Sequence, residues 1–320
     1  MIILKQPKNG AVVSQLTAYQ KQFFENPAFY AKNFNEKMAL GVEEEGGTDP
    51  DAVVFAWEGD EISEFQLSED AEFSRVVYRM TGGSHCEISG LLLGKTYYWR
   101  VGDSEIFSFV TENRPPRLLH TESTFNMRDI GGRKNLQGAY VKQGMVYRGC
   151  QVQTLSPQGN SYLHDFLGVR CELDLRASSE GAGERSTIGE DVAYRLVSCG
   201  QYGGFVENKE QCRTIFSILA DPQSYPLYLH CIYGADRTGT VCFLLEAVLG
   251  FSEEQILVDY ETTSLLGIWT HNRDSGEMMS LYEALQPFGA TLHERVENYL
   301  YACGITKGEL ETIRRLLLQS

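Results

Sequence analysis

Over the first third of the chain, apolar residues come in short runs separated by polar turns. Residues 52–60 (AVVFAWEGD), 63–67, 74–80, 96–102 and 105–111 are each rich in Val, Phe, Tyr or Trp, with Gly, Ser and Asp between them. Runs of this length and spacing predict an antiparallel β-sandwich. Ahead of them, residues 15–40 are aromatic and contain Pro27, which predicts one or two helices packed on the sandwich, and Glu43 to Gly47 predict a solvated turn. At 111–117 (TENRPPR) two prolines follow a polar run and rule out regular helix or inner-strand pairing. The domain boundary is placed there, giving residues 1–113 and 114–320.

Past that point the period changes. Residues 145–148, 169–176, 192–197 and 225–230 read as buried strands. Residues 156–168, 207–219 and 238–249 read as helices between them, and 252–266, 291–303 and 307–318 as a helical tail. Strands alternating with helices predict an α/β domain with a central, mostly parallel sheet flanked by helices.

Composition narrows the function. The 320 residues are 42% hydrophobic and 22% charged, and the formal net charge is −15. That is a folded soluble composition. It supplies no general basic face, which argues against nucleic acid or anionic membrane as a partner. The N-terminus has too few apolar residues for a signal-peptide core. The eight cysteines show no CxxC pairs, so reduced thiols in a cytoplasmic-type compartment are expected, with secretion left open should a leader precede the chain. The six histidines show neither HxH nor HExxH spacing, so no metal is expected.

The chemistry concentrates in His230 to Thr240 (HCIYGADRTGT), between a predicted strand and a predicted helix. A strand delivers this loop to the sheet's carboxyl edge, and the helix offers unpaired amides and a positive dipole end to an anion. Gly234 permits the backbone to turn its amides inward. Ile232, Tyr233, Gly234, Ala235, Asp236, Arg237 and Thr238 are therefore the candidate phosphate-binding residues. Arg237 can grip two phosphoryl oxygens through parallel bonds. Such positive surroundings favour the thiolate of Cys231, the form that attacks phosphorus, and Thr238 could donate its hydroxyl to that sulfur. His230 is expected to hold the loop rather than react. Arg128, Asp129, Arg148 and Arg176 could line the site but are expected in buried salt bridges that lock the sheet's edge, Asp174 as a loop cap, and Trp269, His271 and Arg273 on a segment that could reach over the site. Cys150 or Cys171 could pair with Cys231 in a disulfide.

Cys-x5-Arg preceded by His and followed by Thr-Gly resembles the signature of the cysteine-dependent protein tyrosine phosphatases. Three further stretches, NMRDIGG (126–132), GMVYRG (144–149) and ELDLR (172–176), resemble motifs of the bacterial, dual-specificity-like group. The resemblance implies a phosphomonoesterase that needs no metal or other cofactor and works through a phosphocysteine, with Cys231 as nucleophile and Arg237 as phosphate clamp. Its implied substrates are phosphotyrosine proteins or phosphoinositides. Ala235 stands where the lipid-active relatives carry lysine, which favours phosphotyrosine. The family's general acid is an aspartate on a separate loop, and residues 198–209 contain none. Asp236 is the first candidate for that role and Glu207 or Glu210 the alternatives, any of which would need its pKa raised. Two other functions stay open: an inositol-phosphate phosphatase, and a catalytically weak module that binds phosphopeptides. Residues 90–101 with Trp57 resemble the end of a fibronectin type III module, for which protein contact, carbohydrate contact and interdomain bracing are all open.

Overall fold

The computed structural model describes residues 2–33, 49–59, 63–265 and 270–319. Trp269 and the turn at Glu43 to Gly47 lie outside the described residues. The chain divides into two compact units, residues 1–18 with 49–120 and residues 19–48 with 121–320. This differs from a division at 113/114 for two physical reasons. Arg117 is buried, and its Nε donates to the Gly90 carbonyl at 2.9 Å, so the chain stays with the first unit past the prolines. The helix Pro27–Lys32, expected on the sandwich, packs instead on the helix Glu253–Leu265 of the second unit. Lys32 there ion-pairs with Asp274.

The first unit has two sheets. In one, β1 (Ile3–Gln6), β3 (Val53–Glu58) and β6 (His85–Ile88) lie antiparallel in the order β1-β3-β6. The other runs β2-β8-β7-β4-β5, from β2 (Ala11–Val13), β8 (Phe107–Thr111), β7 (Thr96–Val101), β4 (Glu64–Ser68) and β5 (Val76–Thr81). Alternate residues of β3 (Val53, Phe55 and Trp57) are buried, as a period of two requires. The Phe55 ring centroid lies 5.0 Å from that of Phe65, 5.4 Å from Trp99 and 5.6 Å from Phe109, so one aromatic layer joins the sheets. The segment Arg117–Leu119 (β9) closes the unit's chain.

Across the second unit the strands run β13-β12-β14-β11-β10, made of β13 (Ala193–Leu196), β12 (Cys171–Asp174), β14 (Leu227–His230), β11 (Val146–Gly149) and β10 (Met127–Asp129). The first four are parallel and β10 is antiparallel, which matches a mostly parallel α/β sheet. Helices α1 (Ala18–Phe23) and α2 (Pro27–Lys32) precede it. Between and after the strands come α3 (Pro157–Ser161, continued by a π turn), α4 (Tyr202–Glu207), α5 (Lys209–Leu219), α6 (Asp236–Val248), α7 (Glu253–Leu265), α8 (Gly276–Leu285), α9 (Leu292–Ala302) and α10 (Lys307–Leu317). The helix expected over 207–219 appears as α5, starting at Lys209 because the Asn208 side chain caps it by accepting from Gln211 N, while α4 before it was not expected. No helix of the described residues is long and apolar enough to cross a membrane.

What positions the site is register. His230 at the end of β14 pairs with Asp174 of β12 on one side and Gly149 of β11 on the other. Three strand ends therefore stop level, and the loops that follow them converge at the middle of the sheet's carboxyl edge.

Candidate active site

The loop from Cys231 to Ala235 has its carbonyls tied outward. The Cys231 carbonyl meets His230 Nδ1 at 3.1 Å, Ile232 O accepts from Gln151 N at 3.0 Å, and Tyr233 O accepts from Asn126 Nδ2 at 3.1 Å. Gly234 O accepts from Arg148 Nη2 at 2.7 Å, and Ala235 O accepts from Gly239 N at 2.7 Å inside α6. A trans peptide points its N–H opposite to its C=O, so the following amides face the loop's interior together with the N-terminus of α6. Gly234 is required here. Its φ is +67°, and a Cβ built on it would lie 2.2 Å from the Gly149 carbonyl oxygen.

The clamps on this loop are themselves buried and charged. Asp259 of α7 accepts from Arg128 Nε at 2.7 Å and also ion-pairs with Arg148. Both guanidiniums are fully buried. Burial alone would raise the Asp259 carboxyl, but the two arginines outweigh it and hold it well below the usual carboxylate range. Arg176 is likewise buried against Asp174, with Nε to Oδ1 at 3.0 Å, and Asp174 also caps its own strand end by accepting from Arg176 N at 2.9 Å. Asp129 accepts from Gly131 N and Gly144 N at 2.8 and 2.6 Å. Arg128, Arg148 and Arg176 thus sit in buried salt bridges, as expected from sequence, while Asp129 holds backbone amides.

Arg237 leads from the loop into α6. Its Nη1 and Nη2 lie 2.6 and 2.9 Å from Glu180 Oε2 and Oε1, a bidentate pair that fixes the guanidinium plane. The hydrogen bond from Arg237 draws the Glu180 carboxyl down to about 2. Cys231 is buried at 3% exposure. Thr238 Oγ1 is buried with no hydrogen-bond partner, so its expected bond to the Cys231 sulfur is not formed. All eight cysteines are free thiols, and neither Cys150 nor Cys171 is joined to Cys231.

Beside the loop opens a pocket of about 310 Å³ lined by Tyr202, Tyr233, Asp236, Tyr260, His271 and Glu277, among others. Tyr233 is 40% exposed and Phe125 37%, and their rings lie 6.1 Å apart, forming an aromatic lip. Asp236 Oδ1 accepts from Tyr202 Oη at 2.7 Å and faces His271 Nε2 at 3.2 Å. The raised carboxyl wanted of a general acid is not found. Burial pushes Asp236 up, but the His271 and Tyr202 bonds outweigh it and leave its pKa lowered. Glu207 and Glu210 are exposed and line no part of this pocket. His271 does reach the site, while Arg273 does not: its guanidinium is taken by Glu261 and Glu254 at 2.8 and 2.6 Å.

Sequence reasoning missed Tyr202, Tyr260 and Glu180, and it assigned no role to Asn126 and Glu172, which head two of the quoted motifs. Tyr202 sits at φ +50° in the segment scanned for an aspartate and found empty. Glu172 lies two residues before Asp174 in β12, at the head of the ELDLR stretch, and a second carboxylate in that buried strand was the available signal. It stands with Asp174 and His230 in a buried cluster whose ligand atoms lie within 4.8 Å of one another. Those atoms are occupied: Glu172 by His230 and Ser186, Asp174 by Arg176 and Tyr194.

A cysteine and an arginine framing a backbone cradle at the edge of a parallel sheet define a phosphate-handling α/β class. The chain belongs to the tyrosine phosphatase family, whose model matches residues 119–319. It is 26% identical over 169 residues to a Cupriavidus necator protein named as a candidate tyrosine-protein phosphatase, a match that covers 44% of this chain and 61% of that protein. Among solved structures it is similar to P. aeruginosa TpbA, at 14% identity and a TM-score of 0.37 over 59% of this chain and 96% of the other. It is also similar to the core catalytic domain of the S. cerevisiae PP-IP phosphatase SIW14, at 17% identity and a TM-score of 0.30 over 37% and 71%.

Proposed function

We propose that this protein is a cysteine-dependent phosphomonoester hydrolase that prefers phosphotyrosine. The observation that carries this reading is the anchoring of the four carbonyls from Cys231 to Gly234 by groups flanking the loop, which turns the amides that follow them toward its interior beside Cys231. The Cys231 thiolate attacks phosphorus, an S–P bond forms, and the P–O bond to the aryl group breaks. The equatorial oxygens are held by the loop amides and by Arg237. Water then attacks phosphorus, the S–P bond breaks, and inorganic phosphate and the thiolate are released. Proton transfer to the leaving oxygen is assigned to the Asp236–His271 pair at the mouth, with His271 as the proton-bearing partner of an ionised Asp236. An aryl leaving group tolerates such a weak acid.

The aromatic lip and the tyrosines of the pocket support an aryl phosphate. A polyphosphorylated inositol would need several free cations, and no Lys or Arg lines the pocket among the described residues. We also read the first unit as a fibronectin type III-like module serving as a contact surface for protein or carbohydrate. Its three- and five-stranded sheets with a shared aromatic layer support that reading.

The test is phosphate release from a phosphotyrosine peptide and from an inositol polyphosphate, with a chelator present, by wild type and Cys231→Ser. Turnover of the peptide by wild type alone is expected. Faster turnover of the inositol ester would overturn the substrate class. Peptide binding without release would reduce the protein to a phosphopeptide-binding module.

A further inference from the structure

Among the described residues, the pocket beside the loop holds one charged side chain that nothing pairs. Glu277 lines it from the first turn of α8, where the Ser275 side chain caps the helix by accepting from Met278 N at 3.2 Å. A carboxylate in a first turn is favoured by the helix dipole. Glu294 and Glu309, in the first turns of α9 and α10, also fold back to accept from the backbone N–H of Thr291 and Thr306 at 3.0 and 2.8 Å. Glu277 does not: it is exposed, and among the described residues its carboxylate takes no hydrogen bond and no ion pair. The cations nearby are already held, Arg273 by Glu261 and Glu254 and Lys32 by Asp274. Asp236, the pocket's other carboxylate, is engaged by Tyr202 and His271. Burial is the main reason the Tyr260 phenol is raised, and the charges of Asp236 and Glu277 add to it, so both are felt at that aromatic wall.

We propose that Glu277 is a specificity-determining residue that selects phosphotyrosine sites flanked by lysine or arginine. The inference deepens the phosphotyrosine reading and rests on it. With the phosphoryl group in the cradle and the aryl ring against the pocket's tyrosines, the residues on either side of the phosphotyrosine cross the rim, where Tyr233 is 40% exposed and Glu277 stands free. A lysine or arginine there lays its methylene stem along a tyrosine face and brings its charge to the carboxylate. An acidic flank meets that same charge as repulsion, and a chain of net charge −15 offers no general field to offset it. An exposed ion pair changes affinity by up to about fivefold, so attraction of one flank and repulsion of the other together separate them by about tenfold.

Steady-state kcat/KM is measured for one phosphotyrosine peptide made with arginine, alanine or glutamate on each side of the phosphotyrosine in turn, using wild type, Glu277→Gln and Glu277→Lys. Dissociation constants of the same peptides are measured on Cys231→Ser. Each enzyme is its own reference, so a loss of activity common to all the peptides does not move the ratio between them. The expected arginine-to-glutamate ratio, at one flank or both, is about ten in wild type, near one in Glu277→Gln and below one in Glu277→Lys. A wild-type ratio near one, or one ratio shared by all three enzymes, would overturn the proposal while leaving the phosphotyrosine reading in place. Should no peptide be hydrolysed or bound while an inositol polyphosphate is, the phosphotyrosine reading fails and this inference fails with it. Arginine-flanked peptides that bind Cys231→Ser about tenfold more tightly than glutamate-flanked ones, without turnover by wild type, would support Glu277 as the selector in a phosphopeptide-binding module.

Discussion

Gly234 shows how much of the site hangs on single atoms. Its positive φ and its approach to the Gly149 carbonyl leave no room for a methyl group. Gly234→Ala should therefore lower kcat/KM by about a hundredfold or more through loss of amide alignment, read as steady-state hydrolysis of p-nitrophenyl phosphate alongside a thermal melt. Asp236→Asn makes a finer test. With the carboxyl already ionised in the resting protein, the substitution should change p-nitrophenyl phosphate turnover less than about threefold, because that leaving group scarcely needs a proton. It should cost phosphotyrosine turnover about tenfold or more. At this scale the chain was legible where the chemistry is local. Cys231, Gly234 and Arg237 fall in one loop, and their spacing announces them. Glu180, Glu172, Tyr202 and Asn126 act on that loop from segments far away in sequence, and no spacing rule links a glutamate at 180 to an arginine at 237. The ionised state of Asp236 was illegible for the same reason, since it is set by Tyr202 and His271.

Among the elements, α7 acts on the site without entering it, by placing Asp259 between Arg128 and Arg148. Asp259→Asn would leave two buried guanidiniums sharing a neutral amide, and it should destabilise the second unit by about 3–5 kcal/mol, measured by urea unfolding. The sign with pH follows from the depressed carboxyl. Its stabilisation is fully present above the ordinary carboxylate value of about 4 and is lost as pH falls toward the folded value. Wild type should thus lose stability on acidification more steeply than the Asn variant. The periodic elements were largely legible: strands expected over 192–197 and 225–230 appear as β13 and β14, and the helix expected over 238–249 appears as α6. Among the pieces that were not, β1, β2, β6, β9 and β10 are three or four residues long, and the longer α4 and α8 were not expected either. Too few positions alternate in those short strands to show a period. The partner of α2 was misjudged because an amphipathic face reports that it is buried, not against what.

Taken whole, the molecule carries a net charge of −15, and a phosphate dianion must approach against that field. Raising ionic strength from about 0.02 to about 0.2 M should increase kcat/KM several-fold by screening the repulsion, where a site steering its substrate by positive potential would lose rate. The β and α/β classes of the two units could be read from the change in hydrophobic period. Their boundary could not, because Arg117 buries itself beyond the prolines that mark the break in sequence. The account as a whole stands on a covalent step at one sulfur. The most direct test is rapid acid quenching during metal-free turnover of a phosphotyrosine peptide, with mass spectrometry of the peptide that bears Cys231. A phosphoryl group on that peptide in wild type, absent together with turnover in Cys231→Ser, is the predicted result. Turnover that persists in the serine variant, with no phosphoryl-cysteine in wild type, would contradict it.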